Sequence, residues 1–248
     1  MKPICIASLD YNITSGGVKV MYSLYGWLLT RGLEVYMNKY PHPDVIAIYP
    51  EIYHGNPEGA SRVVRYILNT PGVMGLTTNG KFKQGPTSFD KTDKLIYFSQ
   101  MFSSEKLSDK DVMFLPAIDL STFKDQGKKR TKTCFLVGKG ENKNKHPKDA
   151  IELNRRLAFN QQEIANILNE CHTFYCYDPL TAMMECARLC GCKVEYHGGK
   201  SMEELEKYEP GTNGINSELD TPAFREKYIG LRETFERKLD AFIEELKQ

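Results

Sequence analysis

The sequence predicts an α/β protein with two Rossmann-like domains. Short strand-like runs alternate with amphipathic helical runs, and a polar, basic segment without periodicity lies at 119–131. A chain of 248 residues is also long enough for two small domains. We place an N-terminal domain at 1–120, a shortened second domain at 131–200, and an acidic segment with a long C-terminal helix at 201–248.

The first half begins with the clearest strand–helix unit. A strand at Ile4–Ser8 leads through the glycine pair of YNITSGG into a helix with one apolar stripe, which Gly32 ends. The other predicted elements of this half are strands at Glu34–Met37, Val45–Tyr49, Lys94–Ser99 and Val112–Leu115, and a second helix from Gly59 to Asn69.

The second half opens with a strand at Thr133 and a long polar loop, KGENKNKHP. A short strand is predicted at Ala150–Leu153, and Asn160 with Glu163 resembles a capping box that starts a helix. The run from His172 to Cys176 predicts the next strand. Asp178 as N-cap and Pro179 as first helical residue then predict a helix that carries Glu185.

The last helix is predicted to begin at Thr221 and Pro222. Its apolar residues recur at helical spacing and require a packing partner, either the first half or a second copy of the chain. A homo-oligomer through this helix is therefore one expectation. The stripe consists of Phe224, Tyr228, Leu231, Phe235, Leu239, Phe242 and Leu246.

Charge and hydropathy exclude several classes of protein. Thirty-three basic and 32 acidic residues leave a net charge of +1, which does not favour nucleic acid as a partner. No apolar stretch approaches the roughly 20 residues of a membrane helix, and the chain begins with a strand instead of a signal peptide. We therefore expect a cytoplasmic protein.

The seven cysteines show no regular spacing of a disulfide framework. Five of them lie between Cys171 and Cys192, but no CxxC pair is present and the five histidines have no metal-ligand spacing. We expect buried free thiols and no metal site.

Three predicted loops follow strands at the end where open α/β sheets bind ligands. They contain Gly16 and Gly17, then Lys139 between two glycines, and then Asp178 to Thr181. Glycine allows backbone N–H groups to approach phosphate oxygens, and lysines at 139, 143 and 145 could neutralise a diphosphate. An ionised Glu185 suits a ribose or sugar diol. The alternative is an ordinary capped surface helix beside a solvated basic loop.

Known motifs of other enzyme classes do not fit. GKGENK departs from the dinucleotide pattern because Lys143 replaces the third glycine, and the loop runs into HP instead of a helix. The chain has no Walker motif, no G-x-S-x-G elbow and no H-E-x-x-H sequence. We therefore expect no cofactor.

The arrangement resembles the GT-B glycosyltransferases, particularly their retaining, nucleotide-sugar-dependent, group 1-like branch. The similar segments are ASLDYNITSGGVKVMYSLYGWLLTRGLEV, VMFLPAIDLSTF, FLVGKGENKNK and YDPLTAMMECARLCGCKV, which together span most of residues 3–196. The resemblance implies that the two domains face each other across a cleft. It implies that Lys139 and either Lys143 or Lys145 hold the donor diphosphate. It also implies that Glu185 binds the nucleotide ribose.

The chain departs from that family in two respects. Tyr177 stands where the first of a pair of glutamates is usual, with Asp178 as a partial substitute, and the second domain is too short for the usual helix between Lys145 and Ala150. No histidine matches the catalytic position of the N-terminal domain, although His54 is a weak candidate beside the simpler interpretation of a turn histidine.

We therefore predict a metal-independent transferase that moves a sugar from a nucleotide-sugar donor to an unknown acceptor, such as a glycan or a lipid-linked one. The predicted donor-binding residues are Gly16, Gly17, Lys139, Lys143, Lys145, Tyr177, Asp178, Thr181 and Glu185. One alternative is a non-catalytic nucleotide- or glycan-binding protein, or a partner subunit, of the same architecture. Another is an enzyme that modifies sugar phosphates or nucleotide sugars, such as an epimerase.

Overall fold

The structure is a computed structural model, which describes residues 1–39, 42, 44–76, 82–154 and 156–248. Eleven strands and five α-helices lie in this part of the chain. In chain order they are β1 (Ile4–Ile6), α1 (Gly16–Thr30), β2 (Val35–Met37), β3 (Ile46–Pro50), β4 (Arg62–Ile67), β5 (Gly75–Leu76), β6 (Phe82–Lys83), β7 (Lys94–Tyr97), β8 (Lys132–Leu136), β9 (Ile151–Glu152), α2 (Gln161–Glu170), β10 (Cys171–Cys176), α3 (Met183–Leu189), β11 (Lys193–Tyr196), α4 (Met202–Glu206) and α5 (Thr221–Leu246).

The chain divides into two compact units, each built on one parallel sheet. The first unit comprises Met1–Pro116, Lys207–Glu209 and Arg232–Gln248, and the second comprises Ala117–Glu206 and Pro210–Leu231. The predicted α/β class and the two parallel, Rossmann-like sheets are therefore confirmed.

The first unit contains a five-stranded sheet in the order β2-β1-β3-β4-β7. Its inner strand β1 is completely buried, and Ile4 pairs with Val35 on one side and Ile46 on the other. Strands buried on both faces are typical of parallel sheets, which explains the short apolar runs in the sequence. The first helix runs from Gly16 to Thr30, as predicted, and Gly32 has a φ of +70° just after its end.

The predicted helix from Gly59 to Asn69 is wrong, because Arg62–Ile67 is the strand β4 between β3 and β7. Val63 and Val64 suggested one helical stripe, yet they lie on opposite faces of a strand that is buried on both sides. Periodicity cannot distinguish a short buried strand from a buried helix, whereas the β-branched and aromatic content of RVVRYI favours the strand.

The segment Val112–Leu115 does not form the predicted strand. It is buried, but a single bridge between Tyr97 and Val112 is its only ladder pairing in the described structure.

The second unit contains a four-stranded parallel sheet in the order β11-β10-β8-β9. The predicted strands at Thr133, Ala150 and His172 are present as β8, β9 and β10. Helix α2 packs on β8 and β10, and α3 packs on β10 and β11. Asn160 caps α2 as predicted, because its Oδ1 accepts a hydrogen bond of 3.0 Å from the Glu163 N–H.

Asp178 does not cap a helix. Helix α3 begins only at Met183, and Ala182 is its N-cap residue. The Asp178 carboxylate instead accepts hydrogen bonds from the backbone of Leu180 and of Lys139 in a neighbouring loop. Local capping rules predict that this carboxylate binds the helix N-terminus, but it accepts a hydrogen bond from a tertiary partner, the Lys139 backbone, instead.

The C-terminal helix α5 contributes residues to both units, Thr221–Leu231 to the second and Arg232–Leu246 to the first. Its apolar stripe is buried within the chain, apart from the half-buried Leu231. The stripe therefore already has a packing partner, and a homo-oligomer through this helix stays a proposal. Among the described residues, no helix combines the length and apolarity that crossing a bilayer requires.

All seven cysteines are buried, as predicted. Burial raises the pKa of the Cys5 thiol to about 11 and that of Cys190 to about 12, so both side chains are neutral at physiological pH. They act as small apolar groups in the cores of their units.

In the first unit, Arg65 of β4 is buried and fixes the loop that follows β3. Its guanidinium forms an ion pair of 2.7 Å with Asp93 and donates hydrogen bonds to the carbonyls of Tyr53 and Gly55. It also lies over the Tyr49 ring at 5.1 Å. The two carbonyls flank His54, so the backbone on both sides of this exposed histidine is held in place.

We predict that Asp93→Asn destabilises the chain by about 3–5 kcal/mol, because it leaves the buried Arg65 charge without a counterion. Urea unfolding measures the loss. The matched control is Asp44→Asn, which removes the carboxylate of an exposed ion pair with Lys2 and should leave the free energy of unfolding nearly unchanged. Equal effects of the two variants would contradict the structural role of the Arg65–Asp93 pair.

Candidate functional site

The candidate site lies at the carboxyl end of the second unit's sheet. The chain leaves β8 towards β9 on one side, and β10 lies on the other side, so the strand order reverses between β8 and β10. Ligands of open parallel sheets bind at such a switch point. Two loops leave the sheet there, 137–150 after β8 and 177–182 after β10. They carry six of the predicted donor-binding residues, namely Lys139, Lys143, Lys145, Tyr177, Asp178 and Thr181.

Asp178 joins the two loops at the switch point. Its Oδ2 accepts a hydrogen bond of 2.8 Å from the Lys139 N–H, and its Oδ1 accepts one of 3.0 Å from the Leu180 N–H. The side chain is buried. A carboxylate that receives backbone N–H groups from two loops stands where an oxyanion ligand would be expected.

The two glycines beside Lys139 are required by packing against Tyr177 and Asp178. Gly138 has a φ of +56°, and a Cβ at this position would overlap the Asp178 carboxylate. A Cβ at Gly140 would overlap the carbonyl oxygen of Tyr177. The sequence suggested that these glycines expose N–H groups to phosphate, whereas in the structure they allow one loop to approach the other.

Several backbone N–H groups of the loop after β8 already donate hydrogen bonds within the unit. Besides Lys139, the N–H of Gly140 donates to the Val137 carbonyl at 2.9 Å, and that of Lys145 donates to the Tyr177 hydroxyl at 2.9 Å. An additional anion therefore meets lysine ammonium groups first. Those of Lys139 and Lys145 belong to exposed residues, while the Lys143 ammonium donates to the His197 carbonyl at 2.9 Å.

Tyr177 anchors the far end of the same loop. Its buried hydroxyl lies 2.7 Å from Nδ1 of His146 and accepts the Lys145 N–H, so the hydroxyl proton is free to donate to the imidazole. The His146 ring stacks on Phe135 at 3.7 Å, and the His197 ring stacks on Tyr177 at 5.7 Å. Burial, together with the positive charges of two nearby lysines, lowers the pKa of His197.

The sequence did not indicate that His146 and His197 belong to the site. His146 lies late in the long loop after β8, whereas His197 directly follows β11. The two histidines therefore share no common spacing from a strand. The available signal was a set of aromatic residues that share one face of the sheet, namely Phe135, Tyr175 and Tyr177. Phe135 and Tyr175 are paired on adjacent strands, and aromatic rings at such positions pack favourably against further rings.

Glu185 lies in the first turn of α3 and is 1% exposed. Burial raises its pKa to about 7, and the positive charge of Arg188 opposes this increase. The shortest distance between Glu185 Oε1 and the Arg188 guanidinium is 3.9 Å, and neither carboxylate oxygen accepts a hydrogen bond from the described residues. Arg188 lies 3.8 Å over the Phe224 ring and donates to the Asn213 carbonyl. A hydroxyl donor would thus find an acceptor at Glu185, although the side chain is inaccessible in the structure.

Thr181 is half-buried, and its hydroxyl oxygen accepts a hydrogen bond of 3.3 Å from the Met183 N–H. This contact organises the turn that leads into α3. The threonine hydroxyl proton is available to another acceptor.

The remaining predicted residues belong to the first unit, at the corresponding edge of its sheet. There the strand order reverses between β1 and β3, which places the loop before Gly16 and the loop containing His54 at the same end of neighbouring strands. A Cβ at Gly16 would meet nothing within 4 Å, and one at Gly17 would lie 3.5 Å from Leu68 Cδ1. Neither glycine is needed for packing, in contrast to Gly138 and Gly140.

A cavity of about 410 Å³ lies elsewhere in the second unit. No predicted donor-binding residue lines it. Among the described residues, no group of three or more histidine, cysteine or acidic side chains is arranged to hold a metal ion. The cavity is lined by Thr131, Lys132, Thr133, Pro147, Asp149, Ile151, His172 and Tyr175.

Comparison with known proteins adds no assignment. No protein family, curated protein or solved structure matches this chain. Its function must therefore be argued from the site itself.

We predict that Gly140→Ala destabilises the chain by about 1–3 kcal/mol, because the added methyl group overlaps the Tyr177 carbonyl and must push the two loops apart. Thermal unfolding measures the loss. Gly16→Ala is the control, since its methyl group meets open space at the start of α1 and should cause no loss. A neutral Gly140→Ala variant would show that the loops are not in close contact.

We also predict that Glu185 makes stability depend on pH. Its folded pKa of about 7 exceeds the ordinary value of 4.5, so its contribution is fully present below pH 4.5 and is lost as the pH rises through 7. This loss is on the order of 3 kcal/mol. In urea unfolding between pH 4.5 and 8, Glu185→Gln should gain stability relative to the wild type as the pH rises. Glu163→Gln, at an exposed position, should not, and parallel pH curves for Glu185→Gln and the wild type would contradict the prediction.

Proposed function

We propose that the chain is a metal-independent glycosyltransferase that uses a nucleotide-sugar donor. In this proposal the two units adopt the GT-B arrangement, the protein acts in the cytoplasm, and the acceptor is a glycan or lipid-linked molecule. The observation that carries the proposal is the switch point of the second sheet, where the loop after β8 carries basic side chains and the loop after β10 leads into α3 with its buried Glu185.

The lysines support binding of a diphosphate. Lys139 and Lys145 are exposed on a loop whose backbone is fixed by Asp178 at one end and Tyr177 at the other. Because the loop is already fixed, the ammonium groups are positioned with little loss of backbone entropy on binding. Two positive charges near the bond that breaks would stabilise the negative charge that develops on the departing diphosphate.

Glu185 supports recognition of a hydroxyl-bearing part of the donor. Its carboxylate is buried and lacks a hydrogen bond from the described residues, so a diol would satisfy a polar group that is otherwise unfavourable to bury. Binding at Glu185 requires a local rearrangement around α3, since the side chain is 1% exposed. In the transfer, the bond from the sugar's anomeric carbon to the diphosphate breaks with its electron pair going to the diphosphate oxygen, a bond to the acceptor oxygen forms, and the proton of the acceptor hydroxyl passes to the departing diphosphate.

His54 is the candidate for contact with the reacting sugar. It is exposed after β3, and the Arg65 guanidinium holds the carbonyls on either side of it. A fixed loop at the ligand-binding edge of a sheet suits a catalytic group, because orientation contributes strongly to rate. His54 therefore remains a candidate, without an assigned proton transfer.

A non-catalytic protein that binds a nucleotide or glycan is the second candidate. The N–H groups of Lys139, Gly140 and Lys145 already have acceptors within the chain, and Glu185 is buried. Both features favour weak or regulated binding over rapid turnover. A binding protein should leave a nucleotide sugar chemically intact through long incubations with acceptor mixtures, whereas a transferase should release nucleoside diphosphate.

Isothermal titration with UDP, GDP and dTDP tests the proposed site. We expect one of them to bind, and the double variant Lys139→Ala/Lys145→Ala to bind at least roughly tenfold more weakly, since two charge-assisted contacts are lost. Lys148→Ala removes an exposed lysine of the same loop that has no proposed role and serves as the control. If no nucleoside diphosphate binds, or if the control loses as much affinity as the double variant, the site assignment is wrong.

A turnover assay separates transfer from binding. The wild type is incubated with a panel of nucleotide sugars and acceptor extracts, and release of nucleoside diphosphate is followed. The proposal expects release that depends on both Lys139 and Lys145.

A further inference from the structure

We propose that Asp178 is a specificity-determining residue of the second unit's site, because its carboxylate holds the backbone N–H groups that would otherwise bind a phosphate group. The inference rests on the proposed function in one respect, since it concerns the same pair of loops. It identifies Asp178 as an internal competitor of anionic ligands, in place of the donor-binding role that the sequence suggested.

The geometry around Asp178 is that of an occupied anion site. One oxygen receives the Lys139 N–H at 2.8 Å and the other receives the Leu180 N–H at 3.0 Å, so the carboxylate spans the loops after β8 and β10. The residue is 5% exposed, and Gly138 lacks a side chain at the point where a Cβ would overlap Asp178 Oδ2. Both loops are thus built around the carboxylate.

This arrangement changes what the loops select. A phosphate group cannot accept the Lys139 and Leu180 N–H groups while Asp178 occupies them, and its negative charge is repelled by the carboxylate. The contacts that remain are the ammonium groups of Lys139 and Lys145 on the exposed side of the loop. The site should therefore disfavour small inorganic anions and bind ligands that gain additional contacts elsewhere, such as those of a nucleoside or sugar.

The substitution Asp178→Asn removes the negative charge of the side chain and nearly keeps its shape. Asparagine has nearly the same size, so Gly138 and Gly140 can keep their positions, but its amide carries no charge and has one acceptor oxygen in place of two. One of the two backbone N–H groups then becomes available to a ligand. The control is Glu141→Gln, which removes an exposed negative charge from the same loop without releasing an N–H group.

The test is titration of the full chain with inorganic pyrophosphate. We expect Asp178→Asn to bind pyrophosphate at least roughly fivefold more tightly than the wild type, while Glu141→Gln changes the affinity by less than roughly twofold. In ¹⁵N-resolved NMR spectra, pyrophosphate should shift the Lys139 or the Leu180 amide signal more in the Asp178→Asn variant than in the wild type, where it contacts only the ammonium groups of Lys139 and Lys145.

Three results would overturn the inference. They are unchanged or weaker pyrophosphate binding by Asp178→Asn, an equal gain in Glu141→Gln, and shifts of the Lys139 and Leu180 amide signals in the wild type that are as large as those in Asp178→Asn. If Asp178→Asn does not fold, Asp178→Ser is used with the same readouts, because serine also releases at least one N–H group.

The result is distinguishable from the outcome for the proposed function. Tighter pyrophosphate binding by Asp178→Asn, in a chain that neither binds nucleoside diphosphates nor turns over any donor, would support the inference and reject the transferase. Lysine-dependent nucleotide binding by the wild type, with no gain in pyrophosphate affinity in Asp178→Asn, would support the proposed donor site and reject the inference.

Discussion

The contact between Asp178 and the Lys139 backbone is the interaction on which the candidate site depends. It joins the loops after β8 and β10 at the point where the strand order reverses, and it requires glycine at position 138. The Tyr177 hydroxyl joins the same two segments a second time through Lys145 and His146. With both ends fixed, the lysines of the loop lie on a defined backbone, so any anion that binds there meets charges that are already placed.

The positions of most strands follow from local patterns, while the errors have different physical causes. Short apolar runs located β1, β2, β3, β8 and β10, and Asn160 marked the start of α2 through its side-chain cap. The helix predicted at Gly59–Asn69 and the helix start predicted at Asp178 were wrong. In the first, burial on both faces of the sheet imitates a helical stripe; in the second, a neighbouring loop takes the capping carboxylate.

For the candidate site, the sequence could locate the loops but not the partners of their polar groups. Loops at strand ends are readable from glycine and charge, which is why Lys139, Asp178 and Glu185 were singled out. The contacts of Tyr177 with His146 and of Asp178 with Lys139 span more than 30 residues, and no spacing rule encodes such contacts. The same limit explains why glycines that resemble a phosphate loop serve to pack against the loop after β10.

Two buried charge pairs illustrate how differently such groups can be satisfied. Arg65 has an ion-pair partner at 2.7 Å and two carbonyl acceptors, so its burial fixes a loop. Glu185 lies 3.9 Å from Arg188 and receives no hydrogen bond from the described residues, and burial shifts its pKa towards neutrality. A buried carboxylate without hydrogen bonds is unfavourable. A position that retains such a carboxylate is therefore a candidate ligand site. Arg65 needs no such explanation, since its hydrogen bonds account for its burial.

Both units use loops where larger α/β domains use helices. In the second unit, the connection from β8 to β9 at 137–150 contains no helix, and His146 from this loop stacks on Phe135 of the sheet. In the first unit, Tyr53 from the loop after β3 packs against the cluster that contains Tyr49 and Val63. Each loop thus covers part of a sheet and also displays polar groups at its carboxyl edge. Substitutions that disturb the covering rings should therefore alter the site and the core together, whereas exposed residues such as Lys139 and His54 can be changed without that loss.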